Sequence, residues 1–232
     1  MQIKSIQPVY FSPTHTSAKI VTTIAEGMNI IVNKEFDLTY PSTNQKTLPS
    51  DTLAIIGVPT YAGRVAPTAL ERLQKIKGDN TPAIIVVLYG NRDYEDALLE
   101  LRNTAKQLGF VPVAGGAFIG EHSYSTEKFP TAAGRPDVSD IQIAAEFGKN
   151  IIKQLYQYTD IKKLPVLDVK GNFPYKENKP RTPATPITID ELCTQCQYCI
   201  EICPVETIEL KEEIVSCLLY TSDAADDLIG VD

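Results

Sequence analysis

Four cysteines stand close together late in the chain: Cys193, Cys196, Cys199 and Cys203, the last followed by Pro204, in the run CTQCQYCIEICP. Sulfur is a soft ligand, and the thiolate is the form that binds metal. The spacing C-x2-C-x2-C-x3-C-P is the one that holds iron–sulfur clusters. Three thiolates at short, even intervals wrap one corner of a cubane, and the loop between them turns N–H groups toward its sulfurs. Zinc is the competing occupant, but zinc sites use two C-x2-C pairs set well apart, and nothing in this chain matches that pattern. All five cysteines lie after residue 192, whereas a disulfide-stapled fold spreads them along the chain. Cys193, Cys196, Cys199 and Cys203 are therefore read as ligands of a [4Fe–4S] cluster.

Further residues with chemical potential lie in loops. Phe11-Ser12-Pro13-Thr14-His15-Thr16-Ser17 is dense in hydroxyls and opens a helical pattern. Hydroxyls and free N–H groups at a helix start bind phosphate, helped by the helix dipole. Ser and Thr are also ordinary helix caps. In Pro59-Thr60-Tyr61-Ala62-Gly63-Arg64, Tyr61 offers a face for stacking and Gly63 allows close backbone approach. In Tyr89-Gly90-Asn91-Arg92-Asp93-Tyr94, Gly and Asn supply a bend, and Asp93 is placed to cap the next helix. Glu121-His122-Ser123 could line the same edge. Taken singly, each of the last three loops reads as an ordinary turn.

These loops gain meaning from the elements between them. Up to about residue 159, β-rich runs (Ile3–Phe11, Phe36–Leu38, Leu53–Val58, Ala83–Tyr89, Val113–Ile119) alternate with helical patterns (Ser17–Gly27, Pro67–Ile76, Tyr94–Leu108, Val138–Tyr158). LAIIGV and AIIVVLY are almost wholly apolar, as strands covered on both faces must be. Gly109 follows Leu108 as a helix stop. Such alternation predicts an α/β fold with a doubly wound, five-stranded parallel sheet. Ligands of such sheets bind beyond the carboxyl ends of the strands, at the switch point of strand order, which is where the four loops fall. The stretch Tyr40–Asp51 is too polar and short to predict as helix.

At this level of detail the chain resembles the flavodoxin-like superfamily, and within it the bacterial flavodoxin–ferredoxin fusion proteins of the EFR type. FSPTHTSAK resembles their phosphate loop, PTYAGRVAP and YGNRDYEDAL the two loops that embrace an isoalloxazine, and GNFPYK their linker. The resemblance spans residues 1 to about 210. It implies FMN held by Ser12, Pro13, Thr14, His15, Thr16 and Ser17, by Pro59, Thr60, Tyr61, Ala62, Gly63 and Arg64, and by Tyr89, Gly90, Asn91, Arg92 and Tyr94. His15 stands where many members have Gly; if the backbone there needs a positive φ, His is tolerated less well than Gly. In two-cluster ferredoxins the fourth cysteine of each run ligates the other cluster. The resemblance thus implies that Cys193, Cys196 and Cys199 hold one cluster and Cys203 serves a second, whose own run is missing. Two [4Fe–4S] clusters are expected in the full-length protein and at most one in this chain, where Cys203 itself could close it.

The expected organisation is a flavodoxin-like domain (1–159), a Pro-rich linker (160–186) that Phe173 and Tyr175 could pin to it, and a partial ferredoxin-like module (187–216). The string CLLYTSDAAD opens the last stretch, 217–232, and back-translates to something like a sequencing-library adaptor, so that stretch is expected to be non-native read-through. The net charge of -7 excludes polyanions such as nucleic acid and anionic lipid as expected partners. No apolar run reaches the roughly twenty residues of a membrane helix, and the first residues do not resemble a signal peptide, so a cytoplasmic location is expected. The leading expectation for function is electron transfer between FMN, an iron–sulfur cluster and redox partner proteins. Two alternatives stand beside it: an FMN-dependent oxidoreductase such as a quinone reductase, and a cofactor-free scaffold that binds a protein partner. No G-x-G-x-x-G nicotinamide fingerprint is present.

Overall fold

The computed structural model describes residues 2–42, 44–177, 187–211 and 214–217, and the side chains of these as far as residue 210. Linker residues 178–186 and the suspected read-through residues 218–232 lie outside the described residues. In chain order the elements are β1 (Ser5–Tyr10), α1 (Thr16–Gly27), β2 (Phe36–Asp37), β3 (Lys46–Leu48), β4 (Thr52–Tyr61), β5 (Arg64–Val65), α2 (Pro67–Leu73), β6 (Ile76–Gly78), β7 (Thr81–Tyr89), α3 (Ala97–Gln107), β8 (Phe110–Ile119), α4 (Val138–Leu155), α5 (Tyr198–Glu201), β9 (Ile208–Lys211) and β10 (Ile214–Cys217).

The central sheet runs β2-β1-β4-β7-β8, with every pair along this path parallel. Counting those five strands in chain order, the order is 2-1-3-4-5, the doubly wound order of flavodoxin-like sheets. A sixth, very short strand, β5, pairs antiparallel with the end of β4. The apolar runs make sense in this setting because alternate residues serve opposite faces. In β7, Ile85 and Val87 enter one core with Ala69, Leu73, Leu98 and Leu101 of α2 and α3. Ile84 and Val86 enter the other with Ile20, Ile24 and Ile151 of α1 and α4. On that second face, α1 and α4 cross closely at two glycines. A Cβ at Gly27 would lie 2.3 Å from Ala145 O, and one at Gly148 would lie 2.2 Å from Ile24 O.

Of the boundaries that differ from those expected from the sequence, three bear on the site and its supports. Helix α2 stops at Leu73, because Ile76 turns into the core and its strand β6 pairs in parallel with β3, inside the polar stretch Tyr40–Asp51. Strand β4 runs on to Tyr61, so Pro59, Thr60 and Tyr61 are strand residues and the turn is reduced to Ala62 and Gly63. Helix α3 begins at Ala97, with Asp96 rather than Asp93 at its N-cap position. Among the described residues no helix is long and apolar enough to cross a membrane.

Candidate functional site

The carboxyl ends of β1, β4, β7 and β8 bound one continuous groove. Its narrow part, about 90 Å³, is lined by the loop after β1 and by Pro59, Thr60 and Leu88. Its wider part, about 250 Å³, lies among Tyr61, Gly63, Arg92 and Tyr124. Thr60, Tyr61, Tyr89, Gly90, His122 and Ser123 line both.

The narrow part is built by tethering the hydroxyl-rich loop. Phe11 N donates to Gly57 O (3.1 Å), which ties the end of β1 to β4. Ser12 N donates to Thr39 Oγ1 (2.9 Å), and Ser12 Oγ accepts from Ala18 N (3.0 Å). The chain then enters α1 through His15, whose φ of 61° is left-handed. His15 therefore occupies the backbone region that Gly adopts at least cost. The first N–H groups of α1, those of Thr16 and Ser17, have no intrahelical acceptor by geometry. Two buried hydroxyls here also lack a hydrogen-bond partner: Ser17 Oγ and Thr60 Oγ1. Buried polar atoms are nearly always paired, so two orphans in one groove fit a bound group with acceptor atoms. Lys19, in the first turn of α1, is exposed, and its Nζ donates to Pro136 O (3.0 Å).

The wider part has a strained rim. Ala62 (φ 50°) and Gly63 (φ 83°) form the turn from β4 into β5, with both central residues left-handed, as in a type I′ hairpin. Ala is an unusual residue there, and strain of this kind concentrates at ligand sites. The carboxyl of Glu95 lies so close to Gly63 that a Cβ would meet its Oε2 at 2.7 Å. His122 lies over Gly90 in the same way, 2.2 Å from Cδ2 to a hypothetical Cβ. Its Nδ1 accepts from Tyr124 N (3.0 Å), and the two rings sit 5.2 Å apart.

Of the residues expected to touch a flavin, thirteen line this groove: Ser12, Pro13, Thr14, Thr16, Ser17, Pro59, Thr60, Tyr61, Ala62, Gly63, Tyr89, Gly90 and Arg92. His15, Arg64, Asn91 and Tyr94 are not among its lining residues. His15 and Asn91 (φ 60°) shape the backbone of their loops. Tyr94 stacks edge-on against Tyr89 at 5.4 Å. Arg64 forms an ion pair with buried Glu100, Nε to Oε2 at 2.9 Å, which holds its guanidinium even above its ordinary pKa. It also donates to Lys176 O (2.8 Å) and lies over the Tyr175 ring at 4.7 Å.

Sequence reasoning missed Lys176, Glu95 and Tyr124 as lining residues. Lys176 comes from the segment read as linker, which lies along α3 in the structure. Arg102 donates to Leu167 O (3.2 Å), Asn103 Nδ2 to Tyr175 Oη (2.6 Å), and Lys170 pairs with Asp93 (2.9 Å). Its anchor is Asp96, only 2% exposed, which accepts from the backbone N–H groups of Asn172 (2.8 Å) and Lys176 (2.7 Å). Burial alone would raise the Asp96 pKa, but these donors and nearby Arg64 outweigh it and hold the carboxyl below its usual range. Phe173 remains exposed, with its ring edge-on to Tyr175 at 5.2 Å.

The cysteine run lies against the other end of α2. Cys203 is buried with Ile208, and Cys193 and Cys199 are partly buried around them. Cys196 is exposed. The loop carries positive φ at Gln195 (56°) and Gln197 (61°), the left-handed backbone that anion-binding turns use. Donation from the Tyr198 N–H, then from Thr194, holds the Cys196 thiol below its ordinary pKa. The four cysteines are free thiols, and among the described residues no three His, Cys, Asp or Glu side chains stand together as a metal site. The run docks through Arg72, whose guanidinium donates to Pro204 O (2.6 Å), Leu38 O (3.0 Å) and Thr39 O.

No family model matches the chain, and no curated protein matches its sequence. Solved structures similar to it include a flavodiiron core from Synechocystis (14% identity, 67% of this chain and 37% of that one, TM-score 0.45). A flavodoxin from Streptococcus pneumoniae is similar at 13% identity, over 65% of this chain and 99% of that one, with a TM-score of 0.44. A flavone reductase is similar at 10% identity, over 72% of this chain and 66% of that one, with a TM-score of 0.48. The chain thus spans little more than a third of the flavodiiron core. These likenesses are remote, and the fold class rests instead on the strand order and on the helices packed on both faces: a mostly parallel α/β sheet of the flavodoxin-like kind.

Proposed function

We propose that this chain is an electron-transfer protein that holds FMN in the groove and an iron–sulfur cluster on the cysteine run. The observation that carries the flavin reading is the pair of buried, unpartnered hydroxyls, Ser17 Oγ and Thr60 Oγ1, beside the free N-terminus of α1. A phosphate supplies acceptors for both hydroxyls and for the Thr16 and Ser17 N–H groups, and its charge suits the helix dipole. Tyr61 and Tyr124 in the wider part offer apolar faces for a planar ring system. The remote solved structures named as flavodoxins and flavoproteins agree with this reading without carrying it. FMN, once bound, interconverts two-electron and one-electron chemistry, and the protein's part is to bind, orient and tune it.

The cluster reading rests on the ligand spacing and on the left-handed residues Gln195 and Gln197 in the loop between Cys193 and Cys199. Redox partner proteins follow from this function, as does the absence of any demand on an acid or base in the groove.

An anaerobic ultraviolet–visible spectrum of the chain tests both halves, after incubation with FMN, iron and sulfide, removal of unbound material, and stepwise dithionite reduction. Structured flavin bands above a broad shoulder that bleaches are expected. Absence of retained flavin sinks the electron-transfer reading, and flavin bands alone confine it to the groove. Ser17→Ala removes one orphaned hydroxyl and is expected to weaken FMN binding about tenfold to a hundredfold, the worth of a hydrogen bond to a charged group, with riboflavin affinity unchanged. Equal losses for FMN and riboflavin in a fluorescence-quenching titration would show that Ser17 does not serve a phosphate.

A further inference from the structure

The linker-like segment supplies one charged side chain to the groove, and its backbone is fixed on both sides of that residue. Lys176 N donates to Asp96 Oδ2 (2.7 Å), and Lys176 O accepts from Arg64 (2.8 Å). Between these tethers, the side chain reaches the groove and pairs with Glu95, Nζ to Oε2 at 2.6 Å. Glu95 is held in turn on an uncommon backbone, φ 41°, with its carboxyl against the bare Cα of Gly63. The two side chains are 45% and 28% exposed, so the pair stands at the wall of the wider part of the groove and is not deeply buried.

We infer that Lys176 and Glu95 form an opposed charge pair that sets how much more tightly the groove binds reduced than oxidised flavin; this rests on the flavin reading above. Two-electron reduction of FMN takes up two electrons, from dithionite in the test below, and one proton at neutral pH, which leaves one added negative charge on the ring system. A cation in the wall favours that form and an anion disfavours it. As a pair the two nearly cancel, so removing either one exposes the other. Lys176→Met leaves Glu95 uncompensated, and Glu95→Gln leaves Lys176 uncompensated. The two variants therefore shift the preference in opposite directions, whereas loosening of the segment or of the turn weakens both forms together.

The test is the ratio of dissociation constants for oxidised FMN and for dithionite-reduced FMN, measured anaerobically on the whole chain. Lys176→Met is expected to lower the relative affinity for the reduced form about fivefold to tenfold, and Glu95→Gln to raise it by a similar factor. Tenfold corresponds to about 30 mV for a two-electron couple. Lys176→Arg should keep the ratio of the parent chain. Added salt should shrink both shifts, because the pair is partly exposed. Shifts in the same direction, or ratios within about twofold of the parent while flavin is still bound, overturn the inference and leave the flavin reading standing. A parent chain that binds no flavin overturns both.

Discussion

Arg72→Met is expected to destabilise the chain by about 2–4 kcal/mol, because it strips the donor from three backbone carbonyls at once. Arg72 is 8% exposed. Burial draws its guanidinium below the ordinary arginine pKa, although Glu71, Glu206 and Asp37 oppose this. One fork of donors serves Leu38 O and Thr39 O in the loop after β2 and Pro204 O beside Cys203. Thr39 continues the link, since its hydroxyl accepts from Ser12 N at the mouth of the groove. A lysine has no planar fork and cannot reach all three acceptors, so Arg72→Lys should recover less than half of the loss. The urea midpoint measures the cost. Hydrogen exchange over residues 203–208 locates it, with faster exchange expected in the variant. An unchanged midpoint together with unchanged exchange would mean that the cysteine run does not depend on this arginine.

Removing the carboxylate of Asp96 is the second large effect. Asp96→Ala leaves the N–H groups of Asn172 and Lys176 without their acceptor, at an expected cost of about 2–3 kcal/mol. It should also free the segment that brings Lys176 to the groove. The pH dependence follows from the depressed pKa of this carboxyl in the folded chain. A group depressed on folding stabilises the fold fully above its unfolded pKa, about 3.9 for aspartate. That stabilisation fades as pH falls through the lower, folded value. The stability gap between the parent chain and Asp96→Asn should therefore be constant near neutrality and close below about pH 4. Urea midpoints at several pH values test this. Asp140 is depressed chiefly by Arg135 and adds to acid sensitivity in both chains alike, so the gap isolates Asp96. A gap that stays constant into acid would remove Asp96 as the anchor.

Much of this structure was legible in the residues themselves. Runs such as AIIVVLY are apolar at every position because both sheet faces are covered, and that signal survives without knowledge of the fold. The β/α alternation limited the topology to a doubly wound sheet, and the loops expected to bind do fall at the strand ends of the groove. The spacing C-x2-C-x2-C was also legible, since it needs only neighbouring residues to be recognised, but the side chains of the run do not stand together as a metal site among the described residues.

Other features depended on contacts distant in sequence. Arg64 looked like a binding residue by its place in a loop, yet Glu100, thirty-six positions away, holds its guanidinium in an ion pair. Asp93 looked like a helix cap, whereas it pairs with Lys170 and the cap position falls to Asp96. Ile76 continued a helical pattern until a polar partner strand, Lys46–Leu48, offered a parallel ladder. Lys176 showed no pattern in the sequence, because entry into the groove is imposed by Asp96 and Arg64 gripping its backbone. The sequence by itself determined where the chain could make strands and helices, because the burial period is a local property. Only the tertiary structure decided which charged side chains face the groove, because that depends on which partner each one finds across the fold.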